Sequence, residues 1–351
     1  MPLLARMIAS PLRIDIRRGA IEALGTVLAD GRISGQGHVA VAVGPGQGED
    51  LVRVIGPTLR NADIFPVEGA TVDTARGLAD ALRRSSYDAV VGIGGGRTLD
   101  LTKYAASLTG LPMVAVATSL AHDGIASPVA SLDHEGRKGS YGVAVPIAVL
   151  VDLDYVRQSP PRMLRAGIGD AVSNLNAVAD WELAQRERGE AVDGLAAAFA
   201  RTGAEALVHR RDTVDSDAFL TSLAEALVLS GLAMAVAGTS RPGSGGCHEI
   251  SHAIDRLYPG TGHHGEQVAV GAMFASFLRE DPAVEHVDAC FRRHGVPRVP
   301  RDLGLSEEQF CAAVALAPST RPDRYTILEH LAMDDDQIRK RVDDFAETFG
   351  R

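Results

Sequence analysis

Four of the eleven histidines in this 351-residue chain fall within seventeen residues, in GCHEISHAID (246–255) and GHHGEQV (262–268). His248 and His252 are four apart, so on a helix they share one face, and His263-His264 follow a short Pro/Gly-containing connection. Two convergent histidines with a carboxylate make a zinc-type site that keeps one coordination position open. Asp170, in GIGDAVSNLNAVADW, interrupts an otherwise apolar region where a helical pattern begins, which makes it the carboxylate candidate. Cys247 points about 100° away from its neighbour His248 on a helix and reads as packing, not as a ligand.

Two other stretches carry chemistry. VVGIGGGRTLD (90–100) is a buried strand running into three glycines and then a helix, a turn at which backbone N–H groups can approach a pyrophosphate. It departs from the regular G-x-G-x-x-G fingerprint, because Arg97 stands where the last Gly is needed and the turn does not follow the first strand. TSLAHDGIASP (118–128) gathers Thr118, Ser119, His122, Asp123 and Ser127 around Gly124 in an apolar neighbourhood.

The elements that must position these groups divide the chain in two. HVAVAVG (38–44), YDAVVGIG (87–94), LPMVAVAT (111–118) and PIAVLVD (146–152) are apolar runs bounded by Gly, Pro or Asp, as buried parallel strands should be. Residues 49–60, 71–85 and 98–108 space their apolar positions helically, so residues 1–155 read as a doubly wound, dinucleotide-binding α/β domain. After Pro160-Pro161 the strands stop. Amphipathic stretches such as 162–186, 193–209, 216–238 and 246–256 make residues 156–351 an all-α, metal- and substrate-binding domain.

Composition narrows the partners. With 35 basic and 45 acidic residues, the net charge of −10 argues against a nucleic-acid or anionic-membrane partner. Three cysteines without a C-x-x-C pair make neither a disulfide framework nor a thiolate zinc site, which fits a reducing cytoplasm. The arginine-interrupted N-terminus has no apolar signal core, and no later run is expected to reach the length of a membrane span.

Taken together, GGG-x-x-x-D-x-x-K, TS-x-x-HDGIASP-x-AS, GDA-x-SN, SRP-x-SG-x-x-H-x-x-SHA-x-D, HGEQV and RP-x-RYTIL resemble the sn-glycerol-1-phosphate dehydrogenases. These are a branch of the iron-containing alcohol dehydrogenase and dehydroquinate synthase superfamily, and the likeness runs from about residue 10 to 330. The resemblance implies NAD(P)H-dependent, metal-dependent reduction of dihydroxyacetone phosphate, in a cleft between a nicotinamide domain and a helical domain. It implies NAD or NADP as cofactor, one divalent metal (zinc, with nickel or iron as alternatives), a small phosphorylated substrate, a place in phospholipid biosynthesis and a homo-oligomer. By motif, Asp170, His248 and His264 would be the metal ligands, and Asp123, Asp170 and His252 would contact substrate, with Asp123 and His252 catalytic. Gly95, Gly96, Arg97, Thr98, Asp100, Thr118, Ser119 and Ser127 would line the cofactor.

Several positions depart from the family pattern. Asn174 stands where iron-dependent relatives carry a fourth ligand, Arg97 replaces the usual Lys or Ser after the glycines, and Gly246-Cys247 replace Ser-Glu. Gly44 occupies the strand end that often carries an acidic residue for the ribose 2′-hydroxyl, which leaves NADP open. Lys103, Arg97 and Arg241 are candidates for the substrate phosphate. The alternatives are another phosphorylated or polyol ketone, a dehydroquinate synthase-like cyclase, and a silent nucleotide-binding scaffold.

Overall fold

The structure is a computed structural model; it describes residues 8–35, 37–56, 59 and 61–350, apart from the side chain of Glu49. By its own contacts the chain divides into two compact units, Met1–Ser159 and Pro160–Arg351.

The first unit is a doubly wound sheet. Its elements run β1 (Arg13–Arg17), α1 (Leu24–Leu28), β2 (Val39–Val43), α2 (Gln47–Ile55), β3 (Ala62–Pro66), α3 (Val72–Leu82), β4 (Ala89–Gly94) and α4 (Gly96–Thr109). They continue through β5 (Met113–Ala117), β6 (Val129–His134), β7 (Arg137–Gly142), β8 (Ala148–Asp152) and α5 (Leu153–Gln158). Six strands pair in parallel in the order β1-β8-β5-β4-β2-β3. β2, β4, β5 and β8 are buried at every residue, which is why they read as unbroken apolar runs. Val41, Val43, Val91, Ile93, Val116 and Leu150 form one core with Leu24, Leu51 and Ile55 from the helices.

Four strands escape the sequence reading. β1 and β3 are half-exposed sheet edges that carry charges, so no apolar run marks them. β6 and β7 form a separate antiparallel hairpin, with Glu135 (φ 50°) and Gly136 (φ 76°) as its two loop residues. Two positive φ values are what a type I′ turn requires. The helix expected over 49–60 is described as α2, Gln47–Ile55; the end of that span, at 57, 58 and 60, lies outside the described residues.

The second unit is helical: α6 (Pro161–Val172), α7 (Asn174–Arg188), α8 (Gly194–Val208), α9 (Asp217–Ala237), α10 (Gly246–Leu257) and α11 (His264–Leu278), then α12 (Val284–His294), α13 (Glu307–Leu316), α14 (Ile327–Leu331) and α15 (Asp335–Phe349). The stretch 162–186, read as one helical run, breaks at Ser173, whose hydroxyl donates to Asp170 O at 2.7 Å. One expectation needs correcting: α9, with 21 residues and a mean hydropathy of 1.8, is long and apolar enough to cross a membrane. Of that window 67% is buried within the protein, with Phe219, Leu220, Leu223 and Leu227 fully enclosed, so it serves as a core helix against α8.

Candidate active site

Close helix packing assembles a metal-type cluster in the second unit. Gly169 and Gly265 let α6 and the start of α11 meet backbone to backbone: a Cβ on Gly265 would stand 1.9 Å from Ala166 O, and one on Gly169 2.2 Å from Gly265 O. Each glycine is next to a candidate ligand, Asp170 and His264. The result is that donor atoms of Asp170, His248 and His264 all lie within 4.8 Å of one another. His264 Nε2 is 3.7 Å from Asp170 Oδ1, and the rings of His248 and His264 are 5.0 Å apart, centre to centre.

This donor set fits a divalent cation. Bonds of about 2.1 Å to three such atoms place the donors roughly 3.4 Å apart, so ligation asks for an inward shift of under about 1 Å per ligand. Two imidazoles and one carboxylate are a zinc-type set. Burial holds His248 well below the usual histidine range, with His264, His252, Arg321 and Arg324 adding to the effect. His248 is therefore a neutral imidazole with a lone pair, the form that ligates.

The proton on His264 is placed by a chain of hydrogen bonds. Gln267 Nε2 donates to Asp255 Oδ1 (2.9 Å) and Thr261 O (2.7 Å), both acceptors, which fixes the orientation of its amide. Gln267 Oε1 then accepts from the Ser251 hydroxyl at 2.7 Å. With its one proton committed, Ser251 Oγ accepts from His264 Nδ1 at 3.2 Å. This network assigns the proton to Nδ1 and leaves the Nε2 lone pair toward Asp170. Gln267 and Ser251 were missed at the sequence level, although HGEQV and SHA were already visible as motifs.

Around α10 lies a second set of groups. Cys247 is fully buried, its Sγ 3.3 Å from His248 Nδ1, and burial pushes its thiol up to about 12, so it stays neutral and packs. His252, one turn after His248, is half-exposed. Asp180, wholly enclosed, accepts from Gly246 N and Ile327 N, each at 2.7 Å, and pairs with Arg279. It thus fastens the first turn of α10 to the RPDRYTIL segment. Arg324 in that segment donates to Ser244 O and Ser240 Oγ, both at 2.7 Å, and Thr320 Oγ1 donates to Glu249 O at 3.4 Å.

In the first unit the strand order reverses between β2 and β4, and ligands of open sheets bind outside the strand ends at such a switch point. Gly95 is the N-cap of α4, and Gly96, Arg97, Thr98 and Asp100 form its first turns. Thr118 N donates to Gly94 O at 3.0 Å, and a Cβ on Gly95 would stand 3.1 Å from Ser119 Oγ, so these residues share one turn region. Asp100 and Ser127 are buried and engaged internally: Asp100 pairs with Lys103 at 2.9 Å and accepts from Ser131 N, while Lys103 also reaches Ser127 and Val129 O. Asp123 opens a short 3₁₀ turn whose backbone oxygen accepts from Ala126 N and Ser127 N. A Cβ on Gly44 would stand 2.2 Å from Thr98 Oγ1, so an acidic side chain at that strand end would collide with the glycine turn's own helix.

Of the phosphate candidates, Lys103 is neutralised by Asp100, and buried Arg241 is held by both oxygens of Glu190; neither has a charge to spare. Arg97 is exposed at the start of α4.

Residues 15–160 match the model of the iron-containing alcohol dehydrogenase family. The chain is 32% identical over 327 residues to a glycerol-1-phosphate dehydrogenase (NAD(P)+) of Staphylothermus marinus, covering 92% of each. It is 37% identical over 329 residues to one of Hyperthermus butylicus, covering 91% of this chain and 92% of the relative. A probable glycerol dehydrogenase from Sinorhizobium meliloti shares the fold, with a TM-score of 0.75 at 23% identity over 98% of this chain and 99% of that one. A chain that matches such relatives along nearly its whole length belongs to the glycerol-1-phosphate dehydrogenase family of iron-containing alcohol dehydrogenase-like oxidoreductases.

Proposed function

We propose that this protein reduces dihydroxyacetone phosphate to sn-glycerol 1-phosphate with NADH or NADPH and a bound divalent metal. The observation that carries the reading is the convergence of Asp170, His248 and His264, each from a motif that the glycerol-1-phosphate dehydrogenases share. A divalent cation held by these three residues supplies Lewis-acid polarisation of a carbonyl, and the nicotinamide supplies the hydride. Zinc suits the set, with Asn174 in place of a fourth ligand.

The chain's own residues do the rest. His248 and His264 present lone pairs, and Asp170 supplies the anionic ligand. His252, one turn along α10 from His248, holds the proton that the new alkoxide oxygen takes up. Asp123 orients the substrate's neighbouring hydroxyl. The N–H groups at the start of α4 take the cofactor's pyrophosphate. With Gly44 at the end of β2, no carboxylate stands there to repel a 2′-phosphate, which supports use of both cofactors. Three free cysteines support a reducing, cytoplasmic setting.

The test is nicotinamide absorbance with zinc-supplemented protein, dihydroxyacetone phosphate, and each cofactor separately. Consumption that stops with a chelator is expected, and its absence in metal-loaded protein would overturn the reading. His264→Ala should lose both metal and activity, whereas His252→Ala should keep the metal and lower kcat by about 10²–10⁴-fold.

A further inference from the structure

The six-stranded sheet ends in β1 on one side and β3 on the other, and the chain treats these two edges differently. In a strand, alternate residues turn their backbone N–H and C=O groups to opposite sides. On β3, Val67 N donates to Val43 O and Asn61 O accepts from Val39 N, so the odd-numbered residues bond toward β2 and Pro66 faces outward. A proline there has no N–H to offer, which blunts that edge. On β1, Leu12 N donates to Ile147 O, so Leu12, Ile14 and Ile16 bond toward β8, and Arg13, Asp15 and Arg17 turn their backbone groups outward. No proline stands among those three, and no strand lies beyond β1 among the described residues.

The side chains of β1 make this edge complementary to itself. Its sequence, Arg-Ile-Asp-Ile-Arg, reads the same in both directions. One face of the strand carries Arg13 and Arg17, paired with Asp15 at 3.3 and 3.1 Å. The other carries Leu12 and Ile14, 47% and 41% exposed, and half-buried Ile16. An open edge with an exposed apolar stripe is a template for another strand. Antiparallel pairing of two copies about Ile14 sets Arg13 opposite Asp15, Leu12 opposite Ile16 and Ile14 opposite itself. Unlike charges and apolar side chains then face each other across the pair. Pairing about Asp15 would set Asp15 against itself and Arg13 against Arg17. Pairing about Ile16 would set Ile14 against Arg18 and run into Gly19, which leaves the strand at φ 64°.

We infer that the outer edge of β1 is a self-association surface, at which a second copy of this chain adds its own β1 antiparallel about Ile14 and continues the sheet across a two-fold axis. The backbone groups of Arg13 and Asp15 supply the hydrogen bonds, and the side chains fix the register. Such a pairing is closed: each copy spends its open edge on the other, and Pro66 on the far edge keeps the sheet from growing further. The inference goes beyond the proposed reaction and stands apart from it.

The experiment follows the full-length protein by sedimentation velocity over a range of concentrations, and by non-reducing gels after mild oxidation. Wild type is expected to dimerise. Ile14→Cys is expected to give a disulfide-linked dimer, because residues opposite each other in a non-hydrogen-bonded antiparallel pair have Cα atoms about 4.5 Å apart, within disulfide reach. Ile16→Cys, which faces Leu12 of the second copy, should not. Wild type is oxidised alongside as a control, since Cys311 is not fully enclosed. Asp15→Arg and Arg13→Asp should each raise the dimer dissociation constant at least tenfold by setting like charges opposite each other, and an equimolar mixture of the two should associate again. That rescue separates lost pairing from lost folding, which circular dichroism also monitors. Wild type that stays monomeric at every concentration overturns the inference and leaves the edge to a strand of another protein. A dimer indifferent to both charge variants, or one that cross-links through Ile16 and not Ile14, overturns it as well.

Discussion

Replacing Gly265 by Ala tests whether helix packing sets the metal site. The new methyl would stand 1.9 Å from Ala166 O and 2.5 Å from Ala166 C. Both are backbone atoms that cannot rotate aside. Reaching an ordinary contact of 3.4 Å requires α11 and α6 to part by about 1.5 Å. Such overpacking costs about 1–3 kcal/mol of stability. The larger effect is on geometry, because His264 is the first residue of α11 and Asp170 lies on α6, while metal–ligand distances tolerate only about 0.2 Å. We expect metal affinity to fall at least tenfold, measured by competition with a chelator and by metal content after gel filtration. Gly77→Ala, on the exposed face of α3 with nothing within 4 Å of the new methyl, is the control and should be neutral or slightly stabilising. A folded Gly265→Ala protein with wild-type metal affinity would refute the argument that this close approach positions the ligands.

Gln267→Leu should weaken metal binding about 10–100-fold by releasing Ser251 and the His264 tautomer, with the same chelator competition as the readout. Asp180→Asn should cost about 3–5 kcal/mol in urea denaturation, because Arg279 loses its counter-charge in a nearly closed space; a loss under about 1 kcal/mol would contradict that role. Burial, with Arg293 adding, holds His294 down at about 4, and neither of its ring nitrogens has a hydrogen-bond partner among the described residues. The unfolded chain, with a histidine pKa near 6.5, binds more protons between about pH 4 and 6.5, so this residue makes stability rise with pH across that window. His294→Phe, stacking on Phe219, should flatten the acid side of the profile of Tm against pH; an unaltered slope would show that His294 does not drive it.

The central strands were legible because β2, β4, β5 and β8 are buried on both faces, which forces continuous apolar runs. β1, β3 and the β6–β7 hairpin were not, because edge and hairpin strands expose one face and mix charges with apolar residues. The spacing of His248 and His252 placed them on one helical face, and the motif pointed to His264 rather than His263. The separate helices α6 and α7 stayed hidden, because Ser173 breaks the run with no Pro or Gly to mark it.

The sequence by itself determined which residue types are present for chemistry and the local backbone that carries them: the glycine turn after β4, the histidines on α10 and at the start of α11, and the carboxylate on α6. These follow from periodicities and turn preferences that act over a few residues. Only the tertiary structure decided which charges are already spent. Arg241 finds Glu190 at a separation of 51 residues and Arg279 finds Asp180 at 99, while Arg321 and Arg324 meet no acid among the described residues. Coulombic pairing depends on distance in space and on burial, and neither is written in the local pattern of the chain.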